Sequence, residues 1–156
     1  MSKPFIRKAR ISDVKYIHAL LMGSAGQRLL LPRSLSNLYG HVRDFLVVDP
    51  DNGEPPVACC ALAIMWSDMA EIRSLNVAES HRGQGWGRRL VEACVSDAVT
   101  LGIYRVFTLT YQVSFFAKLG YVEVSKDTLP QKVWVDCIHC PQYPDCDETA
   151  MLLNLE

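Results

Sequence analysis

Little in this chain is extreme, and each missing extreme removes a class of function. Lys and Arg number 16 against 17 Asp and Glu, a net charge of −1 that makes no electrostatic case for nucleic acid or an anionic membrane as partner. No uninterrupted apolar stretch approaches the roughly 18 residues that a membrane span needs. The opening residues, Met1-Ser2-Lys3-Pro4-Phe5-Ile6-Arg7, contain no apolar signal region, so the expected location is the cytoplasm. No repeat, low-complexity segment or dividing linker interrupts the chain. Two familiar phosphate signatures are missing as well. No Gly-Lys-Ser/Thr triplet makes a Walker loop, and Gly83, Gly85 and Gly87 have the wrong spacing for G-x-G-x-x-G.

What is there reads as a globular domain: 49% of residues are hydrophobic and 21% charged. At 156 residues the expectation is one domain over 1–156, with a Cys- and Pro-containing flap at 126–148 inside it. The six cysteines fall into two groups. Cys59 and Cys60 lie in an apolar strand-like run and Cys94 on an apolar helix face, where each is a small buried hydrophobe. Cys137, Cys140 and Cys146, with Asp136 and His139 nearby, have partial metal-ligand spacing. A structural zinc, a disulfide and free thiols are the three readings, and the second close ligand pair usual in a zinc site is missing.

Periodicity orders the elements. Residues 5–7 read as a strand. Ser12 is a candidate N-cap for a helix carrying Val14, Ile17 and Leu21 and ending at Gly23. A second helix starts at Ser34, with Leu35, Leu38, Val42 and Phe45 as its stripe. Strand patterns follow at 45–48, 57–66 and 70–77, the first two joined by the turn Asp49-Pro50-Asp51-Asn52-Gly53. Gly87, Leu90, Val91, Cys94, Ala98 and Leu101 trace one face of a helix that stops at Gly102. Residues 105–110 are a buried strand, 114–119 a short helix stopped by Gly120, 121–124 a strand, and 151–155 a closing strand. This order predicts an α/β chain with a mixed sheet and helices on both faces.

The most informative segment is His81-Arg82-Gly83-Gln84-Gly85-Trp86-Gly87-Arg88. It joins a strand to a helix and fits Arg/Gln-x-x-Gly-x-Gly. Glycines there let backbone N–H groups approach an anion, the following helix N-terminus favours negative charge, and Arg82 and Arg88 can add ionic hydrogen bonds to phosphate.

With the strand at 71–77, the strand at 106–110 and Phe115-Phe116-Ala117-Lys118-Leu119-Gly120-Tyr121, this loop resembles the GNAT superfamily of acetyl-CoA-dependent N-acetyltransferases. The resemblance implies a mostly antiparallel sheet of six to seven strands and acetyl-CoA as co-substrate. It implies that backbone groups of Leu75, Asn76 and Val77 pair with the pantetheine. Arg82, Gly83, Gln84, Gly85, Trp86, Gly87 and Arg88 would hold the pyrophosphate, and Phe116 would lie beside the thioester. A narrower resemblance links Leu29-Leu30-Leu31-Pro32-Arg33-Ser34, Asp44-Phe45 and Val106-Phe107-Thr108-Leu109-Thr110 to the acetyltransferase domain of N-acetylglutamate synthases. The run from Leu129 to Cys140 is similar to their short stand-alone form. This implies a small amino-acid partner, glutamate or glutamine, and a place in arginine biosynthesis; a homodimer is left open.

An amine attacking a thioester must first lose a proton, and the leaving thiolate must gain one or be stabilised. Glu71, at the start of its strand, is the candidate base, acting through a water; an exposed edge carboxylate is the alternative. Phe116 stands where relatives often carry a Tyr, so Tyr111 is the candidate acid, unless the thiolate leaves without one. Arg33 and Arg73 are candidates for the substrate carboxylates, because a guanidinium fork matches a carboxylate; surface ion pairs are the alternative. Arg73 alternates in phase with Glu71 and Leu75, which predicts a shared face. Other acceptors, such as a protein N-terminus or an aminoglycoside, and an idle acetyl-CoA-binding module are the competing functions.

Overall fold

The computed structural model describes residues 3–26, 33–129 and 148–156. Along the chain run β1 (Phe5–Lys8), α1 (Val14–Gly26), α2 (Leu35–Gly40), β2 (Phe45–Asp49), β3 (Ala58–Trp66), β4 (Met69–Val77), α3 (Trp86–Thr100), β5 (Arg105–Thr110), α4 (Val113–Lys118), β6 (Val122–Glu123) and β7 (Thr149–Asn154). The strands hydrogen-bond in the order β1-β2-β3-β4-β5-β7-β6, a seven-stranded sheet. β4 and β5 run parallel, whereas β1–β2, β2–β3, β5–β7 and β6–β7 are antiparallel. The parallel pair needs a crossover, and the Gly loop with α3 supplies it. This is the mixed, mostly antiparallel sheet that the sequence implies.

Internal contacts gather in two compact units, residues 1–62 with 74–96 and residues 63–73 with 97–156. In the first, Val47 pairs with Cys59 and Phe45 with Ala61, so these four side chains face one way. Val14, Ile17 and Leu21, spaced by three and four residues along α1, cover that face together with Leu38 of α2. Cys60, in the opposite phase, meets Cys94 of α3 on the other face. Helices therefore cover both faces. Leu21 is fully buried, and truncating it to Ala would cost about 2–5 kcal/mol.

Local chemistry shifts some expected boundaries. Ser12 does not cap α1. It lies within a 3-10 turn, Ile11–Asp13, that precedes the helix, and Asp13 closes that turn by accepting the Arg10 N–H at 2.7 Å. Asp13 is fixed in that role by Arg7, whose Nη1 and Nη2 donate to its two oxygens at 2.7 and 3.1 Å, while Nε donates to Asp49 at 2.9 Å. The second helix does begin at Ser34, whose hydroxyl accepts the Asn37 N–H at 3.0 Å. It ends at Gly40, well before Val42, and Leu35 is exposed, so the apolar stripe expected there is shorter.

In the second unit, β5 pairs along its whole length with β7, from Arg105↔Asn154 to Thr110↔Thr149. Phe107, Met69, Met65, Leu129 and Ala150 form its core. The last strand thus enters between β5 and β6 rather than following β6 at the edge.

Candidate active site

The turn from β4 to α3 has its glycines where the backbone demands them. Gly83 and Gly85 have φ of +78° and +85°, which L side chains rarely adopt, and no heavy atom lies within 4 Å of a Cβ built on either. The requirement is conformational, not steric. The Gly85 carbonyl accepts the Arg89 N–H at 3.1 Å, so α3 starts from this residue. A helix leaves its first N–H groups without intrahelical acceptors, and here these belong to Trp86, Gly87 and Arg88. Gly87 sits in the first turn of the helix, not in the loop. The result is a backbone suited to an anion.

The arginines of this segment rest on exchangeable partners. Arg82 Nε donates to the Val77 carbonyl at 2.9 Å, and Arg88 Nε to Glu92 at 2.6 Å across one turn of α3. Both arginines are exposed, and an exposed ion pair such as Arg88–Glu92 is worth about 0–1 kcal/mol, little obstacle to exchange for a phosphate. Gln84 is exposed too, whereas Trp86 is buried and its ring carries the Arg89 guanidinium at 4.3 Å. At the end of β4, Leu75 and Val77 are half-buried. The buried Asn76 side chain donates to the Leu20 carbonyl, so it serves the packing of α1.

Arg33 belongs to the same unit. Its Nε donates to Asn37 Oδ1 at 2.8 Å, its Nη1 donates to Ser74 Oγ at 2.9 Å, and the guanidinium lies 5.2 Å from the Phe45 ring centre. Sequence reading passed over both acceptors. Asn37 is recognisable afterwards, four residues on along a helix. Ser74 carries no signal, because nothing in the sequence announces that it has a φ of +59° inside a strand.

In the second unit, Glu71 and Arg73 meet directly. Glu71 is buried at 6% exposure, and its Oε1 accepts from Arg73 Nε at 3.0 Å and from Nη2. The edge-carboxylate alternative is therefore set aside. Beside them the buried Thr108 hydroxyl donates to the Ile72 carbonyl at 3.0 Å, tying β5 to β4. The shared face of Glu71 and Arg73 holds, but its extension to Leu75 loses its basis. The left-handed Ser74 interrupts the two-residue alternation on which it rested. Tyr111 is half-buried immediately after β5. Phe116 is buried on α4, edge-on to Phe115 at 5.0 Å and Tyr121 at 5.2 Å between ring centres. Cys137, Cys140 and Cys146 lie outside the described residues. Among those described, no group of three or more His, Cys, Asp or Glu could hold a metal ion.

This chain is similar to known proteins over most of its length. An uncharacterized N-acetyltransferase of Chlorobaculum tepidum is 41% identical over 150 residues, 96% of each chain. The amino-acid acetyltransferase of Mycobacterium tuberculosis is 37% identical over 85% of this chain and 76% of its own. The N-acetylglutamate synthase of Neisseria gonorrhoeae, solved with coenzyme A and N-acetyl-glutamate, superposes with a TM-score of 0.86 at 26% identity. That likeness covers 100% of this chain but 36% of the synthase. The acetyltransferase (GNAT) family profile matches residues 16–121. The glycine loop, the strand leading into it and the order of elements around them make this chain a member of the GNAT acetyltransferase family.

Proposed function

We propose that this acetyl-CoA-dependent N-acetyltransferase transfers the acetyl group to the α-amine of an amino acid, glutamate or glutamine, as a step of arginine biosynthesis. The observation that carries the reading is the buried Glu71 carboxylate in contact with Arg73, on the strand that runs into the glycine loop. Likeness to a named amino-acid acetyltransferase over most of the chain supports the choice of acceptor.

In this reading the first N–H groups of α3, with Arg82 and Arg88, bind the pyrophosphate, and the backbone of Leu75, Asn76 and Val77 aligns the pantetheine arm. Glu71 takes a proton from the ammonium through a water. The amine nitrogen then forms its bond to the thioester carbon, the carbon–sulfur bond breaks, and its electron pair stays on sulfur. A backbone N–H of Asn76 or Val77 steadies the oxyanion. Phe116 has no proton to give, so the thiolate takes one from Tyr111 or from water, and the proton that the acylated nitrogen sheds replaces it. Arg33 receives the acceptor's carboxylate. Arg73 bonds to Glu71, so any contact it makes with substrate is shared with the base, and its substitution disturbs both roles.

Incubating the protein with acetyl-CoA and each of the common amino acids, with products identified by mass spectrometry, tests the assignment. The expected product is N-acetylglutamate or N-acetylglutamine. Acetylation of some other amine, with both amino acids untouched, would contradict it.

A further inference from the structure

Ser74 occupies a conformation that serine does not favour. Its φ is +59° in the middle of β4, whereas the other described non-glycine residue with positive φ, Asp51, lies in a turn. Aspartate is common in such turns; a serine inside a strand is not. Strain of this kind persists where the surroundings enforce it and where the side chain has a task. Both ends of Ser74 are engaged. Its carbonyl accepts from the Cys59 thiol at 3.4 Å, and its hydroxyl accepts from Arg33 Nη1 at 2.9 Å. Burial pushes the Cys59 thiol up to about 12, so it keeps its proton as a donor at neutral pH.

Three of the groups that hold Arg33 are neutral. Asn37 Oδ1 takes Nε, Ser74 Oγ takes Nη1 and the Phe45 ring lies against the guanidinium. Each of these three contacts fixes the direction of the guanidinium. A long arginine side chain loses much rotamer freedom when held, and a cation already held binds an anion with less ordering to do.

We propose that Ser74 is a positioning residue for substrate recognition: its hydroxyl, presented by a left-handed backbone, aims the Arg33 guanidinium at the carboxylate of the acceptor amino acid. This rests on the reading of Arg33 given above. It explains why a residue at which glycine would be relaxed carries a hydroxymethyl group instead.

Ser74→Gly separates the positioning role from a merely structural one, because it relieves the backbone and removes the hydroxyl together. The expected result is a melting temperature equal to or above that of the wild type. The KM for the amino acid should rise about tenfold, as for loss of one hydrogen bond to a charged group, with kcat and the KM for acetyl-CoA nearly unchanged. Ser74→Asn, which tolerates the left-handed backbone and offers an amide oxygen, should recover part of the loss. A wild-type amino-acid KM in folded Ser74→Gly would overturn the proposal alone. A lowered melting temperature with both KM values raised would overturn it in favour of a structural role. A wild-type enzyme that acetylates no amino acid would overturn the acceptor reading, and this proposal with it.

Discussion

Gly85 and Gly87 sit two residues apart in one motif, yet their substitution should have opposite effects on stability and the same effect on binding. At Gly85, φ is +85° and a Cβ would meet nothing within 4 Å, so the cost of Gly85→Ala is that of a left-handed L residue, about 1–2 kcal/mol. For a chain of this size each kcal/mol moves the melting temperature by about 2–4 °C, so a fall of about 2–8 °C is expected. Gly87 lies inside α3, where Gly is the poorer helix former, so Gly87→Val should leave stability unchanged or raise it by a few tenths of a kcal/mol, roughly. In the proposed reading both side chains would stand where the pyrophosphate approaches the backbone. Losing one charge-assisted hydrogen bond there costs about 1.5–3 kcal/mol, or roughly ten- to a hundredfold in affinity for coenzyme A. Calorimetric titration with coenzyme A and a thermal scan of each variant measure the two quantities separately. Gly87→Val that melts like the wild type and binds coenzyme A with undiminished affinity would refute the assignment of this loop to the pyrophosphate.

Three further outcomes are expected. Arg7→Leu should destabilise the protein by about 3–5 kcal/mol in chemical denaturation, because it strands the buried Asp13. Burial drives the Asp13 pKa upward, but the hydrogen bonds from Arg7 and the Arg10 N–H outweigh it and hold the group below its ordinary 3.8; the Arg7 hydrogen bond likewise lowers Asp49. Carboxyls depressed on folding contribute stability above the unfolded value, so stability should decline as pH falls below about 4, with a smaller decline in Arg7→Leu; an equal decline in both would count against the Arg7 cluster. In kinetics, Arg33→Ala should chiefly raise the amino-acid KM, Glu71→Gln should lower kcat by about 10²–10⁴-fold, and Arg73→Ala should do both because it touches Glu71; a pure KM effect in Arg73→Ala would separate it from the base. Finally, burial pushes the Cys59 thiol upward, and the hydrogen bond with Cys94 together with burial does the same for Cys60, so neither should be alkylated at pH 8 until the chain unfolds, as peptide mass mapping would show.

The sequence is most legible where chemistry is local. The strand Arg105–Thr110 is expected and found at the same residues, and Ser34 caps its helix because a serine hydroxyl one turn before an amide is a short-range signal. The glycine loop is legible because positive φ selects glycine. What escapes is what depends on partners distant in the chain. The insertion of β7 between β5 and β6 is a choice among strand pairings that periodicity does not encode. Asp13 closes the turn before α1 because Arg7, itself held by Asp49 of β2, fixes its carboxylate. At the candidate site, Glu71 and Arg73 are legible as neighbours in phase, but their direct bond changes what Arg73 can do alone. Ser74 is invisible in sequence because its left-handed backbone sits where strand propensity predicts an extended one.

The central claim is direct acetyl transfer from acetyl-CoA to an amino-acid amine, and initial rates test it most directly. Thiol release would be measured while acetyl-CoA and glutamate, then acetyl-CoA and glutamine, are varied together. With at least one of the two amino acids, release should depend on the acceptor, and the double-reciprocal lines should intersect, as a ternary complex requires. Parallel lines would mean a covalent acetyl-enzyme, and release that ignores both amino acids would mean another acceptor; either result contradicts the account.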